Sequence, residues 1–87
     1  MSKVRVYGFE DCPYCVELLE LYDENNINYE YVDIYVEKFK EEVKIVMEKA
    51  ETDKVPIILV NQRILAPDNS FKTIREAYLL TNKFLSE

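Results

Sequence analysis

Val4-Arg5-Val6-Tyr7-Gly8-Phe9-Glu10-Asp11-Cys12-Pro13-Tyr14-Cys15-Val16-Glu17-Leu18-Leu19 is the stretch on which the reading turns. Val4-Arg5-Val6-Tyr7 alternates and is rich in β-branched and aromatic side chains, the pattern of a strand. Gly8-Phe9-Glu10-Asp11 reads as the turn after it. Asp11 suits an N-cap, and Pro13 suits the first helical turn, where its missing N–H is not needed. Val16, Leu18, Leu19 and Tyr22 then fall on one apolar helical face, and Asn25-Asn26 ends the helix. The only two cysteines of the chain therefore sit where a strand hands over to a helix.

Outward from there the elements alternate. Asn28-Tyr29-Glu30-Tyr31-Val32-Asp33-Ile34 reads as a second strand. Phe39, Val43, Val46, Met47 and Ala50 recur at spacings of three and four, which predicts an amphipathic helix. Val55-Pro56-Ile57-Ile58-Leu59-Val60 is an apolar run of strand length. Asn61-Gln62 makes a short turn, and Arg63-Ile64-Leu65 returns as the second arm of a hairpin. Phe71, Ile74, Ala77, Tyr78, Thr81 and Phe84 trace one face of a last helix. The expected order is β-α-β-α-β-β-α. A parallel pair with a right-handed crossover and an antiparallel hairpin then give a four-stranded mixed sheet flanked by three helices.

Composition narrows the function classes. The 87 residues suit one small domain, 1–87. A net charge of -6 argues against nonspecific nucleic-acid binding and against docking on an anionic membrane. No apolar run approaches the roughly 20 residues of a membrane-spanning helix. Met1-Ser2-Lys3-Val4-Arg5-Val6 lacks the apolar core of a secretory signal, so the expected compartment is the cytosol, where structural disulfides are rare. Gly8 is the only glycine, which excludes a glycine-rich phosphate loop, and the absence of histidine excludes Ser-His and Cys-His catalysis.

The cysteine pair admits several readings. A zinc site wants four ligands, usually Cys and His, and this chain offers two cysteines and no histidine. Carboxylates or a second chain would have to complete it, as a second chain would for an iron–sulfur cluster. Two incidental cysteines are the plainest alternative. The strand–turn–helix setting favours redox chemistry. A helix N-terminus presents unpaired N–H groups and partial positive charge, which favour a thiolate at Cys12. A thiolate is what attacks a disulfide. Cys15 lies within the first turn and is expected to be better buried, placed to attack the mixed disulfide. Glu10, Asp11 and Glu17 work against a second anion nearby.

Cys12-Pro13-Tyr14-Cys15 after a strand and before a helix resembles the active site of the glutaredoxins, within the thioredoxin fold. Tyr29-Glu30-Tyr31-Val32-Asp33-Ile34 is similar to that family's second strand. Lys54-Val55-Pro56-Ile57-Ile58-Leu59-Val60-Asn61 is similar to its TVPxIFV segment. The resemblance implies that Cys12 is the nucleophile and Cys15 the resolving thiol, with Pro13 stiffening the bridge between them. It implies that Pro56 is a cis-proline facing the dithiol, with the backbone of Val55 offered to an incoming peptide or glutathione, and that Tyr14 flanks the substrate sulfur. The chain departs from the family where glutathione is held. Ala66 and Pro67 stand in place of a glycine pair, and proline removes a donor. Asp68, Asn69 and Ser70 are expected to cap the last helix and offer its N–H groups to a carboxylate. Lys54 replaces the family's threonine and is a candidate glutathione clamp.

The resemblance thus implies a small cytoplasmic thiol–disulfide oxidoreductase with a dithiol mechanism. It would be a monomer with no bound cofactor or metal, with glutathione as co-substrate. Its clients would be disulfide-bearing proteins, ribonucleotide reductase among them by family analogy. A thioredoxin-like enzyme recharged by a thioredoxin reductase is one alternative. A non-catalytic binding module on the same fold and a dimeric cluster carrier are others.

Overall fold

A computed structural model of the chain describes residues 3–87. Met1 and Ser2, the start of the segment read above for a secretory signal, lie outside the described residues. Strand β1 (Val4–Gly8) leads into helix α1 (Pro13–Glu24), strand β2 (Glu30–Asp33), a short 3-10 turn at Glu37–Phe39 and helix α2 (Lys40–Ala50). Strands β3 (Ile57–Val60) and β4 (Arg63–Leu65) follow, and helix α3 (Ile74–Leu85) comes last. The sheet order is β2-β1-β3-β4. β1 runs parallel to β2 and antiparallel to β3, which is antiparallel to β4. This is the four-stranded mixed sheet with three helices that the sequence predicts. Asn61 and Gln62 both have positive φ, 48° and 73°, as a tight hairpin turn of the primed type requires.

The period of two along each strand divides the core between the two sheet faces. Val4 and Val6 of β1 join Ile58 and Val60 of β3 under α1 and α3, with Leu18, Tyr22, Phe71, Ile74 and Ala77. Tyr7, Val32 and Ile57 point the other way and pack beneath Val43, Val46 and Ala50 of α2. Arg5, also on that second face, bridges Glu30 of β2 and Glu42 of α2, and the Tyr7 hydroxyl donates to Glu42. Tyr22 and Thr81 share a buried hydroxyl–hydroxyl bond of 2.7 Å that ties α1 to α3. Among the described residues no helix is long and apolar enough to cross a membrane.

Several expectations shift. Val16 is 43% exposed rather than on the buried face of α1, which is carried by Cys15, Leu18 and Tyr22. Burial on a helix follows steps of three and four, and Val16 lies one residue off that stripe. Strand β3 starts at Ile57, not Val55, since the Val55-Pro56 bond is cis and proline has no N–H for the ladder. Strand β2 is shorter at both ends than Asn28–Ile34. Phe71 is buried in the first core but precedes α3, where it forms an isolated bridge with Pro67.

Candidate active site

Cys12 is the N-cap of α1. Asp11, the expected cap, lies one residue outside. Pro13 takes the first helical position, which proline favours because its own N–H would go unused, and this moves the cap onto Cys12. The Cys12 sulfur accepts the N–H of Cys15 at 3.3 Å, as a capping oxygen would. The Cys12 N–H donates to the Phe9 carbonyl at 3.2 Å, and its carbonyl accepts from Val16 at 3.0 Å, so the loop and the helix fix it from both sides.

Cys12 lines a groove of about 780 Å³. Phe9, Tyr14 and Glu17 come from the first loop and α1. Lys54, Val55 and Pro56 form a second wall, and Pro67, Asp68, Phe71, Lys72, Thr73 and Ile74 a third. Pro56 is buried, and the cis bond that the resemblance implied is present. Tyr14 stands 63% exposed at the rim. Cys15 does not line the groove. It sits behind Cys12, 1% exposed, and both cysteines are free thiols. Burial, and then the adjoining Cys12 sulfur, pushes the Cys15 thiol up to about 12.

Gly8, the last residue of β1, packs against Cys15. A methyl group at Gly8 would lie 2.5 Å from the Cys15 sulfur and 3.5 Å from the Tyr31 phenol oxygen. Its φ is not in the left-handed region, so space rather than backbone freedom calls for glycine here.

The residues expected to hold glutathione are divided. Lys54 and Asp68 both line the groove, but the Lys54 ammonium is bound to the Asp68 carboxylate at 2.8 Å on an exposed rim. That contact raises the Lys54 pKa and lowers that of Asp68. Asn69 faces away and donates to the Ala50 carbonyl at 2.8 Å, closing the end of α2. Asp68, Asn69 and Ser70 do not cap α3, contrary to expectation. Thr73 does, in a reciprocal box with Glu76. The signal was in the sequence, since Thr73-Ile74-Arg75-Glu76 has the T-x-x-E spacing of a capping box. Residues 66–71 instead fold on themselves, with Ser70 N–H donating to Ala66 and Asp68 N–H to Phe71, each at 2.9 Å. The groove's third wall therefore includes Phe71, Lys72 and Thr73, which the sequence reading passed over as site residues. Among the described residues no group of three or more Cys, Asp or Glu converges as a metal site.

A cysteine pair at a strand–helix junction, with Cys12 on a groove that the cis-proline Pro56 also lines, defines a thiol–disulfide oxidoreductase of thioredoxin-like fold. The family model described as glutaredoxin matches residues 4–65, and the chain belongs to the glutaredoxin family. Solved structures carry the fold further along the chain. A glutaredoxin from Archaeoglobus fulgidus is similar over all of this chain and 89% of its own, with a TM-score of 0.72 at 19% identity. A wheat glutaredoxin covers 98% of this chain and 80% of its own, with a TM-score of 0.73 at 15% identity. A thioredoxin-like protein covers 94% and 97%, with a TM-score of 0.70 at 24% identity. At such identities the likeness carries the fold alone. A search of curated protein sequences finds no significant match.

Proposed function

We propose that the chain is a dithiol reductase, with Cys12 as nucleophile and Cys15 as resolving thiol, and that glutathione recharges it. The observation that carries this reading is the unequal placement of the two sulfurs. Both cysteines are buried, Cys12 at 4% exposure and Cys15 at 1%, but only Cys12 lines the groove, with a backbone N–H already donated to its sulfur. Cys12 as thiolate attacks one sulfur of a substrate disulfide, forming a mixed disulfide and releasing the other sulfur as thiolate. Cys15 then loses its proton to solvent and attacks the Cys12 sulfur. The dithiol ends oxidised, and the substrate leaves as two thiols. Two glutathione molecules, themselves oxidised to their disulfide, would restore the dithiol.

Tyr14 and Pro56 flank the incoming sulfur in this reading, and Pro13 holds the cap. Among the described residues, no hydrogen bond within the chain engages the Val55 backbone, which leaves it for an extended substrate. Lys54 and Asp68 bind glutathione only by exchanging their mutual ion pair for the ligand's charges. The chain acts as a single cytoplasmic domain and monomer, with disulfide-bearing proteins as clients and ribonucleotide reductase as the natural candidate.

A second reading has one observation in its favour. The Glu76 carboxylate already accepts the N–H groups of Lys72 and Thr73 at the start of α3, so those donors are not free for a glutathione carboxylate. A thioredoxin-type reductase would then be the source of electrons. Turnover of a glutathione mixed disulfide with reduced glutathione as sole reductant decides between them. Glutathione recharging predicts turnover that Cys12→Ser lowers by at least about a hundredfold, since the thiolate is the attacking species. Cys15→Ser retains turnover of this substrate and loses reduction of protein disulfides. No turnover in the wild type, with disulfides reduced once thioredoxin reductase is supplied, would favour the second reading.

A further inference from the structure

The resolving step presents a chemical problem. Cys15 must shed its proton to attack, yet it is buried, its thiol is pushed up to about 12, and the chain has no histidine to help. The family motif ends at the cysteines and the cis-proline. The missing help lies on β2.

Tyr31 is on β2, opposite Val6 in the parallel register, and packs against the core shared by α1 and α3. Its phenol oxygen and the Cys15 sulfur converge on the same bare face of Gly8, 3.5 Å and 2.5 Å from the point a methyl would occupy. No hydrogen bond engages the Tyr31 hydroxyl among the described residues, so its proton is available. The groups that act on it come from three elements. They are Cys12 and Cys15 of α1, Glu10 of the preceding loop and Asp33 of its own strand. No cation is among them.

We infer that Tyr31 is a positioning residue for the second step, its O–H donating a hydrogen bond to the Cys15 sulfur as that sulfur becomes a thiolate. The inference rests on the dithiol reading above. As the mixed disulfide forms at Cys12, that sulfur's own negative charge is lost, and the phenol turns its proton toward Cys15. The Cys15 proton leaves to solvent, Cys15 attacks the Cys12 sulfur, the bond from Cys12 to the substrate sulfur breaks, and the substrate leaves as thiolate. Tyr31 keeps its proton throughout, in line with a phenol that burial, and then Cys15, raises to about 12. A donor is the useful partner for a thiolate in an apolar site, where charge-assisted bonds are strongest.

The test separates the two steps in one trace. The reduced protein is mixed with excess of a symmetrical nitroaryl disulfide whose thiolate absorbs visible light. The attack by Cys12 releases one thiolate, at a rate that rises with reagent concentration. Ring closure by Cys15 releases the second, at a rate independent of it. Tyr31→Phe is expected to slow the second phase about tenfold at neutral pH, the worth of one hydrogen bond to a charged group, and more than it slows the first. Its rise with pH should move to higher pH. Site-specific 3-fluorotyrosine at position 31 keeps the ring's packing and makes the phenol more acidic, so the rise should move to lower pH. A second phase unmoved in rate and pH profile by either change overturns the inference. Equal slowing of both phases by Tyr31→Phe, as loosened packing would give, overturns it too. A wild type that lacks the first phase would instead count against Cys12 as nucleophile.

Discussion

At Gly8 a single hydrogen decides whether the Cys15 sulfur has a place to stand. Cys15 is fixed by α1, and the β carbon of an added methyl would stand 3.3 Å from the Cys15 β carbon as well as 2.5 Å from its sulfur. Cys15 is 1% exposed, so its sulfur has no open solvent to retreat into. Gly8→Ala should therefore destabilise the reduced protein by about 1–3 kcal/mol, the usual cost of overpacking a dense core. Urea denaturation measures it. The double variant Gly8→Ala/Cys15→Ala should recover most of the loss, because the clash is with that one side chain. Additive losses would mean that the backbone of β1 carries the strain. The contact was invisible in the sequence, where Gly8 reads as a turn residue, because its partners are seven and 23 positions away.

The helices are held to each other, as well as to the sheet, by polar groups inside the core. The Thr81 hydroxyl donates its one proton to the Ala77 carbonyl of its own helix and so accepts from the Tyr22 hydroxyl. The two partners are unequal. Removing the phenol oxygen with Tyr22→Phe leaves Thr81 bonded to Ala77. Removing the threonine hydroxyl with Thr81→Val leaves the Tyr22 hydroxyl buried without a partner. Thr81→Val should cost about 1–3 kcal/mol and Tyr22→Phe less, since an orphaned buried group costs more than a lost bond. Thermal or denaturant unfolding of both variants checks the order, and equal losses would place the cost in packing. At this scale the sequence was a good guide where side chains alternate or recur, as in β1, α2, the hairpin and α3. It misled where an element's end depends on a neighbour. Asp11 is the better capping residue by type, yet Pro13 gives the cap to Cys12. Asp68, Asn69 and Ser70 look like a cap, yet Asn69 is drawn to Ala50 and Asp68 to Lys54, contacts across the fold that no local pattern announces.

Over the whole molecule the groove is assembled from three segments far apart in the chain, and their charges do not suit an anion. Cys12 and Tyr14 of the first wall and Pro56 of the second stand in the two segments whose resemblance to the family the sequence shows. The third wall was not legible there, because residues 66–71 loop back on themselves before α3 begins. Glu10 and Asp11 precede the dithiol, and Glu17 and Asp53 line the groove. Against them stand Lys54, already paired with Asp68, and Lys72. Glutathione carries net negative charge, and the protein carries -6. Long-range repulsion should then slow encounter at low salt and fade as the screening length falls from about 30 Å at 0.01 M to about 8 Å at physiological salt. The value of kcat/KM for glutathione-dependent turnover should rise by roughly threefold across that range, the reverse of electrostatic steering toward a complementary site. An uncharged aliphatic disulfide, reduced by Cys12 in a single turnover, should change little over the same range. Turnover that instead falls as salt is added would mean that the local cations, Lys72 and a Lys54 released from Asp68, outweigh the charge of the whole.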